Sequence, residues 1–429
     1  MARQNRGNAG SGYEGIIRKM SSQRAFGFVR DIAQIGNRWL GTAGERRAKQ
    51  YILRKFESLG LENVHAEEFD YLNYRPKKWR LQITSPARRT LECQPLEYSQ
   101  NGEVEADVVY VGGGTEVEFG ELEKLGVRFR GKIVAATSFA PFLITPLCER
   151  RKVAGMIVIS DAPKNYIRRL TARLNPTAFK ASSPLKYLSA FPGVITTAAG
   201  GETLRTLLSA GKVRAKITHE GQYAMRRSSN VVGMVRGRGS PEEKVIVGGH
   251  YDSQLAGQLA WDNGTGVAAV LEMARVLTGN QPRRSVVFIA FSAEEIGLIG
   301  AAAYAHRHAR DLSKNAVGMV NLDALSSIFP ADNALWATRD ILRLAKAKAR
   351  EAGWKVDTVV DPKSFVFSDY YPFMLLKIPS TWIWEYPPMH PYYHTENDIL
   401  EYVDAKKLLK VIEVNARLAF HLAYASRPL

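Results

Sequence analysis

The chain has 429 residues, enough for two or three domains with cores of their own. Its hydrophobic fraction of 45% is that of a globular protein, no apolar run is long enough to cross a membrane, and two cysteines, Cys93 and Cys148, exclude a disulfide framework or a cysteine zinc site. The formal charge of +17 would suit a nucleic-acid partner, but the basic residues fall in short scattered groups with no nucleic-acid-binding module, so a basic surface and no nucleic-acid partner are expected.

In chain order, residues 1–12 are polar and glycine-rich and read as a frayed tail. The N-terminus has no apolar signal core, which points to a cytoplasmic protein, although a trimmed secreted form would look the same. From Tyr13 to Ile35 the apolar spacing predicts one or two helices. A helix follows over Glu45 to Leu59, with Gly60 as its stop, and then a strand over Val64 to Tyr71. From about residue 86 the pattern changes to short strands and turns, Asp107–Val111, Lys132–Ala135, Met156–Ile159, Val213–Thr218 and Asn230–Val235, with one short helix over Glu202–Ala210 closed by Gly211. The glycines 112–114 lack the lysine of a phosphate loop and read as a tight turn. Residues 86–225 are therefore read as an inserted, mainly β domain between an N-terminal part (1–85) and a C-terminal domain (226–429).

From residue 228 strands alternate with helices. Strand Lys244–Gly248 precedes helix Gly266–Leu277, Ser285–Phe291 precedes Leu298–His308, Ala316–Asn321 precedes Arg339–Ala352, and Thr381–Trp384 precedes Ala405–Ala425. Continuous apolar strands between amphipathic helices predict an α/β fold with a mixed, mostly parallel central sheet flanked by helices. In such sheets ligands bind beyond the carboxyl ends of the strands. The polar residues of interest stand at those ends: His250, Asp252 and Asp262 after the first strand, Glu294 and Glu295 after the second, Asp323 after the third, and Tyr393 and His394 after the fourth. Carboxylates packed together repel and desolvate at high cost, so a metal is the natural resolution. Two metals about 3.5–4 Å apart that share a carboxylate fit the count.

The motifs HYDS, WDNGTGVA, FSAEEIGLIG, NLDA and YYHT, in that order, resemble peptidase family M28, the zinc aminopeptidases and carboxypeptidases. The segments GKIV, AGMIVIS and FPGVITTAAGGETLRTLL resemble a protease-associated (PA) domain. The M28 resemblance implies a co-catalytic pair of zinc ions. His250 and Asp323 would hold one, Glu295 and His394 the other, and Asp262 would bridge them, with the peptide bond after it cis. Glu294 would be the general base that takes a proton from the attacking water and passes it to the leaving amine. Tyr393 would donate to the oxyanion, and Asp252 would orient the His250 ring.

Two departures stand out. Trp261 takes a place before the bridging Asp that is often acidic in the family. Tyr370 and Lys377 stand where His and Gly are usual, which affects the specificity wall. The expected activity is removal of the N-terminal residue from a peptide substrate. Alternatives implied by the same resemblance are a carboxypeptidase, a single-zinc glutaminyl-cyclase-like transferase, and a receptor-like relative with a dead site. The PA-like insert would either cover the active site or mediate contacts in a homo-oligomer.

Overall fold

A computed structural model describes residues 12–174, 187–361, 368–386 and 390–429; the tail expected at the N-terminus lies outside them except for Gly12, as does the side chain of Tyr386. The described residues form one 14-stranded sheet. Its strands in chain order are β1 (Glu62–Ser85), β2 (Arg89–Leu91), β3 (Cys93–Pro95), β4 (Gly102–Tyr110), β5 (Ile133–Thr137), β6 (Gly155–Ile159), β7 (Gly193–Thr196), β8 (Arg214–Val235), β9 (Ser240–His250), β10 (Arg284–Phe291), β11 (Ala316–Asn321), β12 (Asp332–Ala337), β13 (Thr358–Val360) and β14 (Ser380–Tyr386).

The helices are α1 (Glu14–Ile17), α2 (Ser22–Ile35), α3 (Ala43–Ser58), α4 (Glu116–Lys124), α5 (Pro141–Arg150), α6 (Ala198–Ala210), α7 (Thr265–Leu277), α8 (Ile299–Arg307), α9 (Ala309–Asn315), α10 (Leu342–Glu351), α11 (Tyr371–Leu375) and α12 (Ala405–Tyr424).

The part that carries the site is the expected parallel core. β10, β9, β11 and β14 run parallel in that spatial order. All eight residues of β10 are buried, which explains its unbroken apolar run. Helices α7 and α12 pack on these strands and on each other, and α2 packs on both helices. β12, which the pattern did not reveal, pairs antiparallel with β14 and makes the sheet mixed.

Two features of the middle of the chain go beyond the sequence pattern. The stretch read as mainly β carries four parallel strands, β4 to β7, together with α4, α5 and α6. Helix α4 escaped notice because it buries only Phe119 and is fixed instead by a Thr115–Glu118 capping box. β1 and β8 form one long antiparallel ribbon, paired from Glu62↔Met234 to Ser85↔Arg214, so residue 225 lies inside a strand. One end of β8 pairs with β10 and the other with β4, which makes the ribbon the structural bridge between the two halves of the sheet. Charged and breaker residues hid it: Pro76, Lys77, Lys78, Gly221, Arg226 and Arg227 interrupt the alternation where the ribbon meets solvent.

Among the described residues no helix is long and apolar enough to cross a membrane. Cys93 and Cys148 are free thiols. His306 is exposed, and His308 is half-buried, its Nε2 2.8 Å from Glu67 Oε2 and its ring 4.4 Å from that of Tyr304.

Candidate metal centre

The site is assembled around the carbonyl of Leu322. A Cβ added to Gly249 or to Gly266 would sit 2.1 Å from that oxygen, so only glycine lets the end of β9 and the start of α7 close on the end of β11. Asn263 locks the same junction: its Nδ2 donates to Leu322 O at 3.0 Å, and its Oδ1 accepts from Gly266 N at 2.8 Å and Ala324 N at 3.3 Å. His250, Asp262 and Asp323 are thereby brought together. Left-handed backbone recurs at the neighbouring residues: φ is 62° at Ala293, 53° at Ala324 and 58° at His394. Such conformations in non-glycine residues cluster where a scaffold holds functional groups in place.

Two groups of buried ligand atoms result, each mutually within 4.8 Å: His250, Asp262 and Asp323, and Asp262, Glu295 and His394. Asp262 belongs to both. Its Oδ1 lies 3.3 Å from His250 Nε2 and its Oδ2 lies 3.1 Å from His394 Nε2. Asp323 Oδ1 is 3.4 Å from His250 Nε2, and Glu295 Oε2 is 3.0 Å from His394 Nε2. Yet His394 Nε2 makes no hydrogen bond among the described residues despite these short separations. Imidazole nitrogens and carboxylate oxygens in this arrangement fit two zinc ions with one shared carboxylate. The Asp262–Asn263 peptide bond is cis, as the resemblance implied.

Electrostatics agree with a cationic occupant. Burial alone would lower the His250 pKa, but Glu294 and Asp323 push it well above the ordinary value. Burial opposes His394 as well, and Glu295 and Asp262 raise it to about 10. Burial, together with the charges of Asp323, Glu295 and Asp369, pushes Glu294 well above the carboxylate range. Divalent cations at these positions would reverse such shifts.

The supporting residues are partly as expected. Asp252 Oδ1 lies 3.6 Å from His250 Nδ1, while the nearer acceptor is the main-chain oxygen of Asp252 at 3.2 Å. The Asp252 carboxylate also accepts the Glu294 and Glu295 amides at 3.2 and 3.3 Å, so one buried side chain aligns both residues. Tyr393 stacks on His394 with ring centroids 3.6 Å apart and meets Trp261 edge-on. Trp261 is buried beside His390, with centroids 5.3 Å apart, and forms an aromatic wall with Tyr393. Tyr370 is buried in the core with its ring 3.8 Å from that of Trp336, and Lys377 adopts φ 61°, the conformation that a glycine there would favour.

Several functional neighbours were not legible. Gln254 donates from its main chain and its Nε2 to the two oxygens of Glu295, at 3.1 and 2.9 Å. Ser368 Oγ donates to Asp323 Oδ2 at 2.7 Å. Asp398 accepts the Trp261 and Asp262 amides at 2.9 and 3.0 Å; Asp404 caps α12. Burial raises the Asp398 pKa to about 7. Arg38, fully buried, donates to the carbonyls of Tyr251, Gln258 and Leu259 and so spans the loop between His250 and Asp262. Glu97, also fully buried, has neither carboxylate oxygen hydrogen-bonded among the described residues, and burial raises its pKa to about 8.

Comparison with known proteins agrees with this geometry. Residues 230–419 match the model described as Peptidase family M28. A maize protein named probable glutamate carboxypeptidase VP8 is 24% identical over 343 residues, covering 66% of this chain and 47% of its own length. Aminopeptidase YwaD of Bacillus subtilis (strain 168) is 30% identical over 198 residues, covering 43% of each chain. The chain thus spans about half the length of the curated relatives it matches. A solved aminopeptidase from Aneurinibacillus sp. strain AM-1 superposes with a TM-score of 0.73 at 25% identity, over 96% of this chain and 97% of its own.

Proposed function

Residues 230–419 belong to peptidase family M28, and from that premise we propose that the chain is a di-zinc exopeptidase that removes N-terminal residues from peptides. The observation that carries the reading is the division of Asp262 between two histidine-containing ligand groups, with Glu294 Oε2 3.9 Å from His250 Nε2. Zinc at these ligands would polarise the scissile carbonyl and lower the pKa of the attacking water toward about 7. Glu294 takes one proton from that water as its oxygen adds to the carbonyl carbon. It returns the proton to the leaving nitrogen as the C–N bond breaks. Asp252 holds Glu294 in line through its main chain, and Tyr393 would donate to the oxyanion.

An amine-terminal substrate suits the surroundings of the second ligand group. The carboxylates of Asp262 and Glu295 beside His394 would attract a free α-ammonium and repel an α-carboxylate. One feature favours a carboxypeptidase instead. A groove of about 860 Å³ near Leu255 is lined by Arg46, Lys49, Arg75 and Arg226, which would receive an α-carboxylate. The test is a peptide panel with free or acetylated N-termini and free or amidated C-termini. Release of N-terminal residues from free amines alone supports the aminopeptidase. Release of C-terminal residues from acetylated peptides transfers the site to a carboxypeptidase. Full zinc loading without cleavage of any peptide overturns the peptidase reading and leaves the cyclase-like chemistry.

A further inference from the structure

We infer that the segment Arg168–Arg169, which follows β6, is a working part of the metal centre: it fixes the position and ring orientation of His394, with Arg168 as a positioning residue for the metal held by Asp262, Glu295 and His394. The inference rests on the two-metal reading above and assigns the middle of the chain a task other than covering the site or joining subunits.

His394 lies outside any helix or strand, in left-handed backbone. Such a loop needs an external frame if its ring is to meet a metal at a defined angle. The frame comes from far away in sequence. Arg169 N donates to His394 O at 2.7 Å, and His394 Nδ1 lies 3.0 Å from Arg169 O. With the proton on Nδ1 donated to that carbonyl, Nε2 keeps its lone pair for Asp262 and Glu295's side of the site. Arg168 completes the hold. Its side chain is buried, Nη1 donates to Tyr393 O at 2.6 Å, and Nη2 donates to Pro391 O at 3.2 Å. A planar guanidinium serves two carbonyls on one loop at once, which an ammonium cannot do with the same geometry.

The segment is itself anchored. Arg168 Nε donates to Asp161 Oδ1 at 2.5 Å, at the end of β6, and Arg168 N donates to Ser160 Oγ at 3.2 Å. Behind it, Glu97 N donates to Leu170 O at 3.1 Å and Ala172 N donates to Glu97 O at 2.7 Å. Position therefore passes from β6 through Arg168 and Arg169 to His394. No comparable contact from this segment reaches His250 or Asp323 among the described residues, so its influence should fall on one metal and not the other.

The test is stepwise zinc binding by competition with a chromophoric chelator, on wild type, Arg168→Ala, Arg168→Lys and Asp161→Asn, with circular dichroism of each as a folding check. Wild type is expected to take two equivalents. Arg168→Ala keeps the first and binds the second about 10–100-fold more weakly, the range seen when partners of metal-ligating histidines are lost. Arg168→Lys recovers part of the loss, and Asp161→Asn shows a smaller one; both serve if the alanine variant fails to fold. Wild-type affinity for both equivalents in every variant overturns the inference, and so does equal weakening of both. A wild type that binds fewer than two equivalents overturns the two-metal reading itself, a failure visible before any variant is compared.

Discussion

Replacing Arg38 with Met tests whether the metal loop is held by one buried cation. Arg38 Nε, Nη1 and Nη2 donate to the carbonyls of Tyr251, Gln258 and Leu259 at 2.9, 2.7 and 2.8 Å, and its own amide donates to Ser253 Oγ at 3.0 Å. Burial lowers its pKa, but Asp398, Asp262, Asp252 and Glu295 hold it at about 10, so it is charged at neutral pH. Methionine approximates the length of the stem and supplies no donor. The buried carbonyls of Tyr251 and Leu259 and the part-buried carbonyl of Gln258 then lose their partner, at about 1–3 kcal/mol for each unsatisfied buried group. Because neighbouring losses share one relaxation, the sum is not additive, and about 3–5 kcal/mol is expected, as for breaking a buried charged contact. Arg38→Lys keeps the charge but aims it at fewer carbonyls, so it should fall between wild type and Arg38→Met. Urea unfolding followed by tryptophan fluorescence reads this, Trp261 lying two residues beyond Leu259 in the same loop. A methionine variant within about 1 kcal/mol of wild type would refute the reasoning.

His219 and Asp398 give two further predictions. Burial lowers the His219 pKa to about 4, with Nε2 facing Tyr74 Oη at 3.1 Å and Nδ1 facing Gln100 O at 3.2 Å. Its folded pKa lies below the unfolded value of about 6.5, so it contributes on the order of 3 kcal/mol above that value and loses it as pH falls toward about 4. His219→Gln should flatten the acid limb of a stability–pH curve in that window; an unchanged limb contradicts the assignment. Asp398→Asn leaves one side-chain oxygen where two accept the Trp261 and Asp262 amides, so about 1–3 kcal/mol of stability should be lost in thermal unfolding. An unshifted transition would mean that Asp398 does not support the bridging aspartate.

The candidate ligands were legible as strand-end residues because apolar strands alternate with helices and strand ends converge in a parallel sheet. The particular set His250, Asp262, Glu295, Asp323 and His394 came from the resemblance to family M28, not from spacing alone. Their supports depend on contacts that no local pattern carries. Arg38 reaches residues 251–259 from more than two hundred positions away, and Asp398 reaches back to residues 261–262. Arg168 reads in the sequence as one more basic residue of a basic chain. The β1–β8 ribbon was illegible for a different reason: away from the core, pairing needs no apolar alternation, so charges and a proline occupy strand positions at little cost. Helix α4 was missed on the same principle, since a helix fixed by its cap need bury only one side chain.

Zinc content and peptide turnover measured together on wild type and Glu294→Gln test the central claim most directly. Gln keeps the shape of Glu294 but cannot take up a proton from water, and residue 294 stands in neither ligand group. The account predicts about two zincs per chain in both proteins, as the shared Asp262 requires, cleavage by wild type, and a loss of about 10²–10⁴-fold in kcat for the variant. Zinc retained with wild-type turnover in Glu294→Gln would remove Glu294 as the base. A wild-type chain that binds no zinc would contradict the account at its root.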